Sequence, residues 1–107
     1  MKSFTKIGLT ALLLSAGLAV QAADHLVDQK EKNFSVPHLN IKAGDTVTFR
    51  NSDQFFHNVF SMSDVKSFDL GSYSQGKSKT VTFDKQGTIE VECAIHPNMK
   101  MVVEVGK

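Results

Sequence analysis

V-E-C-A-I-H-P-N-M-K-M, at residues 91–101, is the stretch around which this chain is organised. It holds the only cysteine, Cys93, with His96 three residues later and the methionines Met99 and Met101 after that. Sulfur and imidazole nitrogen atoms are donors that bind transition metals. Three such side chains between Cys93 and Met99 predict a metal-binding loop.

The donor types favour copper. One thiolate, two imidazoles and a weak thioether form the ligand set of a mononuclear electron-transfer copper, because sulfur stabilises Cu(I) and imidazole binds both oxidation states. A second imidazole must come from elsewhere, and the chain offers His25, His38 and His57. The best candidate is His57, which lies in the apolar run Q-F-F-H-N-V-F at residues 54–60, and such surroundings would shield a bound metal from water. Outside a metal site, a histidine in apolar company is more often a core residue.

The residues before the loop alternate, so that Ile89, Val91 and Cys93 share one face of a strand of period two. The ligands after Cys93 can converge with it only if the chain turns back. Pro97 and Asn98 are typical of such a turn. The segment therefore predicts a strand, a ligand-bearing loop and a return strand.

Two segments resemble a known family. C-A-I-H-P-N-M at residues 93–99 resembles the copper-binding loop of the small blue copper proteins, the cupredoxins, and is similar above all to the amicyanin-like members. A-G-D-T-V-T-F-R-N-S-D-Q-F-F-H-N-V-F at residues 43–60 resembles the stretch that supplies their first histidine ligand. The segments occur in the family's order, and the match runs from about Leu39 to Val105.

The resemblance implies one type 1 copper ion bound by His57, Cys93 and His96. In the family, the asparagine after the first histidine makes hydrogen bonds that steady the cysteine loop. The resemblance implies that role for Asn58 here, and we expect Pro97 to support the loop from outside the ligand set.

Two methionines compete for the weak axial position. Cupredoxins with longer loops place the methionine five residues after the histidine, which is Met101 here, whereas the amicyanin-like pattern places it three after, which is Met99. Met101 would share an inward face with Val103 and Val105 in the return strand, which is a core role. We therefore expect Met99 as the axial ligand, with Met101 as the alternative.

Short alternating segments predict an all-β domain at residues 23–107, with at most one helical turn at residues 63–67. Strands at this spacing favour an antiparallel sandwich, and the resemblance implies a Greek-key β-sandwich of the cupredoxin type. The candidate strands are residues 25–29, 39–41, 46–51, 79–83, 88–93 and 101–105.

Residues 1–22 are typical of a cleaved signal peptide. Lys2 and Lys6 precede an apolar run at residues 7–20, and Val20-Gln21-Ala22 is a small-residue cleavage site. The run is short for a membrane span. Cleavage would leave a periplasmic protein with no membrane attachment. His25 and His38 are then expected to be surface histidines, although His25 near the new amino terminus could bind stray copper or zinc.

Composition excludes other classes of function. The chain has 12 basic and 11 acidic residues, so it has no charge excess suited to nucleic acid. A single cysteine cannot form an internal disulfide in an oxidising compartment, which again favours Cys93 as a metal ligand.

These features predict an exported, monomeric blue copper protein that carries one electron by Cu(I)/Cu(II) cycling. Redox partner proteins would dock transiently near His96, on an apolar patch that includes Pro97 and Met62. The alternative is a periplasmic copper-binding or delivery protein, which would be expected to expose a methionine- or histidine-rich site. An enzyme is not expected, because the enzymes that resemble this fold carry a histidine beside the copper cysteine, whereas Glu92 and Ala94 flank it here.

Overall fold

Alternation of apolar and polar side chains sets the strands of the computed structural model, which describes residues 21–107. In the fourth strand, for example, Val47 and Phe49 are fully buried while Thr48 and Arg50 between and after them face outward. The strands are β1 (Asp24–Lys30), β2 (Asn33–Phe34), β3 (His38–Lys42), β4 (Asp45–Asn51), β5 (His57–Met62), β6 (Ser67–Tyr73), β7 (Ser78–Phe83), β8 (Gly87–Glu92) and β9 (Lys100–Gly106).

The strands form two sheets that pack face to face. One sheet has the order β2-β1-β4-β7 and the other the order β3-β9-β8-β5-β6. The predicted all-β sandwich is confirmed. The expectation of purely antiparallel pairing is wrong, because β1 runs parallel to β4 and β3 runs parallel to β9. Strand direction follows from how the chain crosses between the sheets, and the alternation within a single strand does not encode it.

The core lies between the sheets and is apolar along most of its length. Phe49 and Phe83 are its largest fully buried side chains, and each meets another phenylalanine edge-on, Phe34 at 6.3 Å and Phe68 at 6.0 Å between ring centres. Burying aromatic side chains of this size supplies a large share of the stability of a domain this small.

Two strands beside the metal-binding loop were not predicted from the sequence. In β5 burial alternates along the strand, but two of the buried positions hold the polar side chains of His57 and Ser61, so the sequence does not show the apolar alternation that marks a strand. In β6 the sequence S-F-D-L-G-S-Y contains Asp69 and Gly71, which are uncommon in strands. The helical turn expected between the two strands is absent, and residues 63–66 form a non-helical bend.

Most of the predicted signal peptide, residues 1–20, lies outside the part of the chain that the structure describes, so its cleavage stays a prediction. Across residues 21–107, no helix has the length and apolar character that crossing a membrane requires.

Candidate metal centre

Neighbouring strands of one sheet bring the metal-ligand candidates together. Cys93 follows directly after β8, and His57 is the first residue of β5, which pairs with β8 through Phe60 and Glu92. The predicted strand, loop and return strand are present, with a turn at residues 97–98. His57, 36 residues earlier in the chain, thus lies beside the loop.

Three donor atoms converge at this point. Nδ1 of His57 lies 3.7 Å from Sγ of Cys93 and 3.1 Å from Nδ1 of His96. All three candidate ligand atoms lie within 4.8 Å of one another, and no other such group of cysteine, histidine and acidic side chains occurs in residues 21–107. Bonds of about 2.0 Å from a metal to nitrogen and about 2.3 Å to sulfur separate neighbouring donors by roughly 3–4 Å. The two separations from Nδ1 of His57, 3.7 Å and 3.1 Å, are therefore those expected of donors to one metal ion.

A buried carboxylate sets the orientation of His57. Its Nε2 lies 2.7 Å from Oδ2 of Asp53, and since a carboxylate only accepts hydrogen bonds, Nε2 carries the proton and donates it. The lone pair of Nδ1 is then free and directed at Cys93 and His96. A carboxylate that holds the far nitrogen of a metal-binding histidine fixes its tautomer and the orientation of its ring.

Asp53 was missed by the sequence analysis. It also accepts hydrogen bonds from the backbone N–H groups of Glu31, at 2.6 Å, and Lys32, at 2.9 Å. Burial raises the pKa of Asp53, but the Lys32 N–H, the His57 ring and the Glu31 N–H together outweigh it and hold the pKa below its usual value. Asp53 is therefore a negative charge behind the site at neutral pH. The only signal in the sequence is an acidic residue four positions before the histidine.

Hydrogen bonds within and beside the loop fix its shape. Oδ1 of Asn58 accepts the N–H of Ala94 at 2.7 Å. The N–H of Met99 donates to the carbonyl oxygen of His96 at 2.9 Å, and the N–H of Cys93 donates to that of Met99 at 3.1 Å. The loop is thus closed on itself and attached to β5. Pro97 lies exposed on the turn.

Both methionines are buried, so burial alone does not decide between them as ligands. Met101 lies in β9 opposite Val91, and it shares its buried face with Val103 and Val105, as the alternation predicts. Met99 comes from the loop, directly after the turn. Its backbone carbonyl contacts the N–H of Cys93.

His96 connects the buried donors to the surface. Its ring is partly exposed and meets His57 edge-on at 4.8 Å and Phe55 at 6.0 Å between ring centres. Desolvation and the nearby His57 lower the pKa of His96, which favours the neutral ring that a metal requires. Exposed apolar side chains of the same region are Phe55, Phe56 and Ile95.

Three other predicted surface residues lie away from the centre. His38 is exposed on β3, and His25 on β1 bonds to Asp45. Among residues 21–107, Met62 is the most exposed large apolar side chain, but it lies at the opposite end of β5 from His57, roughly 16 Å along the strand. The expectation that Met62 joins an apolar patch around the loop is therefore wrong.

Comparison with known proteins gives the same result as the geometry. The family model of copper-binding proteins of the plastocyanin/azurin family matches residues 21–106. Amicyanin of Paracoccus denitrificans is 32% identical over 93 residues, covering 80% of this chain and 71% of that protein.

Two solved structures show the same fold. An amicyanin mutant in its oxidised state superimposes with a TM-score of 0.72 and 29% identity over 84% of this chain and 88% of that one. A copper-containing nitrite reductase from Thermus scotoductus has a TM-score of 0.75 and 26% identity, but the match spans only 24% of its chain. The resemblance and the copper cofactor inferred from the sequence are confirmed: the chain belongs to the plastocyanin/azurin family of copper-binding proteins, the cupredoxins.

Proposed function

We propose that this protein is an exported type 1 copper protein that carries one electron at a time. His57, Cys93 and His96 would be the strong ligands and Met99 the weak axial ligand. The observation that carries the proposal is the convergence of two imidazole nitrogens and one thiol sulfur within 4.8 Å, from two separate segments of the chain. A bound copper ion would supply the one-electron chemistry through its Cu(I) and Cu(II) states.

The residues around the donors are suited to this task, because they resist movement. Asp53 holds His57 from behind, and Asn58 holds the loop at Ala94. Cys93 and Met99 are almost wholly shielded from water. A donor set fixed in this way keeps nearly the same geometry in both oxidation states, which keeps the reorganisation cost of electron transfer low.

His96 is the proposed route for the electron between the site and a partner. It is the only one of the proposed ligands that is not fully buried. The exposed side chains of Phe55, Phe56 and Ile95 surround this region, and Pro97 lies exposed next to His96. A small apolar surface of this kind suits the weak, short-lived docking of redox proteins. We propose that the protein is a periplasmic monomer comprising residues 23–107.

Copper delivery is the weaker alternative. A delivery protein must release its metal, whereas two of the three strong donors, His57 and Cys93, are buried here. We also propose that the protein is not an enzyme. Glu92 and Ala94 flank Cys93, so the chain lacks the histidine beside the copper cysteine that would connect it to a catalytic centre.

The test is a visible absorption titration of the protein that begins at Ala23, first with Cu(II) and then with ascorbate. We expect an intense thiolate-to-copper band that saturates at one equivalent and bleaches on reduction. Cys93→Ser should lose this band and remain folded by circular dichroism, while His38→Gln, which alters an exposed histidine on β3, should keep it. Weak colour in the unsubstituted protein, or oxidation to a disulfide dimer, would contradict the proposal.

A second measurement separates a carrier from a delivery protein. A carrier should give a reversible one-electron wave in voltammetry and keep its copper when the reduced protein is mixed with a Cu(I) chelator. Rapid transfer of Cu(I) to the chelator would favour delivery.

A further inference from the structure

A second group of polar atoms lies at the other end of the sandwich, around Asp45. Oδ1 of Asp45 accepts the backbone N–H of Ala23 at 2.9 Å, and Oδ2 lies 2.9 Å from Nε2 of His25. The N–H of Lys42 also donates to Oδ2, at 3.1 Å. The side chain of Asp45 is almost fully buried although it carries a charge. The carboxylate of Asp45 thus forms hydrogen bonds with both a backbone nitrogen and an imidazole nitrogen.

This group is remote from the copper-site candidates. Asp45 begins β4, whereas Asn51 ends it, and Oδ1 of Asn51 accepts the N–H of Asp53, which holds His57. Seven residues of extended chain place the two ends of β4 roughly 20 Å apart. Whatever binds at Asp45 does so independently of the metal centre.

The predicted processing step changes the chemistry at Ala23. Cleavage after Ala22 would convert its amide nitrogen, a poor ligand, into a primary amine. Ala22 and Ala23 are exposed and precede β1, so a free amine at this position disrupts no strand. The mature chain would then begin Ala23-Asp24-His25, with the amine and the imidazole both directed at Asp45.

The resulting donors are an amine, an imidazole and a carboxylate. Cu(II) and Ni(II) favour mixed nitrogen and oxygen ligands, and Cu(II) binds most tightly of the divalent first-row metals. The Ala23 N–H, the His25 ring and the Lys42 N–H lower the pKa of Asp45 to about 2, so its carboxylate is ionised at neutral pH. An open depression lined by Gln21, His25, Asn40 and Asp45 adjoins the group, and loss of Gln21 with the leader would open it further to an ion and to water ligands.

We propose that removal of the leader creates a second divalent-metal site, in which the α-amine of Ala23, the imidazole of His25 and the carboxylate of Asp45 bind Cu(II). The ion would replace the two hydrogen bonds to Asp45, with the imidazole proton moving from Nε2 to Nδ1 and the amine proton released to water. The inference depends on cleavage after Ala22. It does not depend on electron transfer at the cupredoxin site. Without metal, the protonated form of the same α-amine would form an ion pair with Asp45.

The experiment uses the full mature protein, beginning at Ala23, at about pH 8, where a typical α-amine is half deprotonated. After one equivalent of Cu(II) has saturated the intense band, a second equivalent is added and followed by weak d–d absorption and by electron paramagnetic resonance. We expect the second equivalent to bind with no thiolate band. A second equivalent that stays unbound would overturn the proposal.

Matched variants identify the donors. One glycine added before Ala23 displaces the amine without altering the fold, and His25→Gln removes the imidazole. Each change should lower the affinity for the second Cu(II) ion by at least about 100-fold, because substitutions of residues that only support a metal ligand already lower metal affinity about 10–100-fold. His38→Gln should bind it as the unsubstituted protein does. Undiminished binding by the glycine-extended protein would overturn the assignment of the amine.

Two further readouts complete the test. Asp45→Asn, verified as folded by circular dichroism, should also bind the second equivalent more weakly, and unchanged affinity would overturn the role of the carboxylate. Mass spectrometry of the exported protein should give Ala23 as the first residue, and a different first residue would overturn the site. The intense band at the first equivalent reports the cupredoxin site separately in every sample.

Discussion

Asp53→Asn removes one negative charge behind His57 and keeps a hydrogen-bond acceptor of the same shape. The carboxylate oxygen lies 2.7 Å from Nε2 of His57. The distance from this oxygen to a metal bound at Nδ1 spans the hydrogen bond, the imidazole ring and one metal–nitrogen bond, which is roughly 6.5 Å in all. At an effective dielectric constant of about 20, a unit charge at that distance contributes about 2.5 kcal/mol. Because the negative charge favours Cu(II), its removal should raise the reduction potential.

The expected shift is about 100 mV as an upper value, since 59 mV corresponds to a tenfold change for one electron. The variant should also lose some stability. The amide group has one oxygen, so one of the three hydrogen bonds that Asp53 accepts, from Glu31, Lys32 and His57, is lost. An unsatisfied buried donor costs about 1–3 kcal/mol.

Voltammetry of the copper-loaded protein measures the shift, and denaturant unfolding measures the stability. The matched control is Asp84→Asn, the same charge change at an exposed residue directly after β7. Phe83, which precedes Asp84, pairs with Asp45 at the far end of the sandwich, so salt should screen this charge from the metal. A potential that falls in Asp53→Asn, or rises no more than in the control, would refute the electrostatic role.

The remaining predictions concern the axial ligand, the loop and acid stability. Met99→Gln should lower the reduction potential, because a harder oxygen donor favours Cu(II). Met101→Gln should mainly lower the free energy of unfolding, because it buries an amide in the core. If voltammetry shows the larger shift of potential in Met101→Gln, then Met101 and not Met99 is the axial ligand. Asn58→Ala removes the acceptor for the loop N–H and should weaken copper binding about 10–100-fold in a competition titration with a chelator; unchanged affinity would show that the loop holds its shape alone. Arg50 and then Ser52 lower the pKa of Asp28 to about 2, below its usual 3.8. The contribution of Asp28 to stability is therefore present above about pH 4 and lost as the pH falls towards 2, so the difference in unfolding free energy between the protein and Asp28→Asn should shrink over that range.

The sequence was most informative where the chemistry is local. Cys93, His96 and Met99 lie within one loop, so their spacing alone predicts a metal site, and residues 97–98 between the last two predict the turn. His57 needed the family resemblance, because a lone histidine among phenylalanines is more often a core residue than a metal ligand. The pairing that brings it to Cys93 depends on β5, which the alternation did not reveal.

Asp53 shows why the rest could not be predicted. Two of its three hydrogen-bond partners are backbone N–H groups from the turn between β1 and β2, 22 and 21 residues earlier in the chain. Nearly every residue type has a backbone N–H group, so the identities of residues 31 and 32 do not predict the contact with Asp53. The parallel pairing of β1 with β4, which brings that turn to Asp53, is likewise a property of the whole sandwich.

The turn at Glu31 and Lys32 also links the stability of the fold to the proposed docking surface. Both residues have positive φ angles, 56° and 59°, which cost about 1–2 kcal/mol each for residues other than glycine. Hydrogen bonds to a charged carboxylate contribute about 1.5–3 kcal/mol each, enough to offset that cost, and Asp53 accepts one from each residue. The same turn holds the ammonium group of Lys32 4.9 Å from the centre of the Phe55 ring, next to His96. One buried carboxylate therefore both orients a proposed copper ligand and fixes a positive charge at the edge of the surface through which the electron would pass.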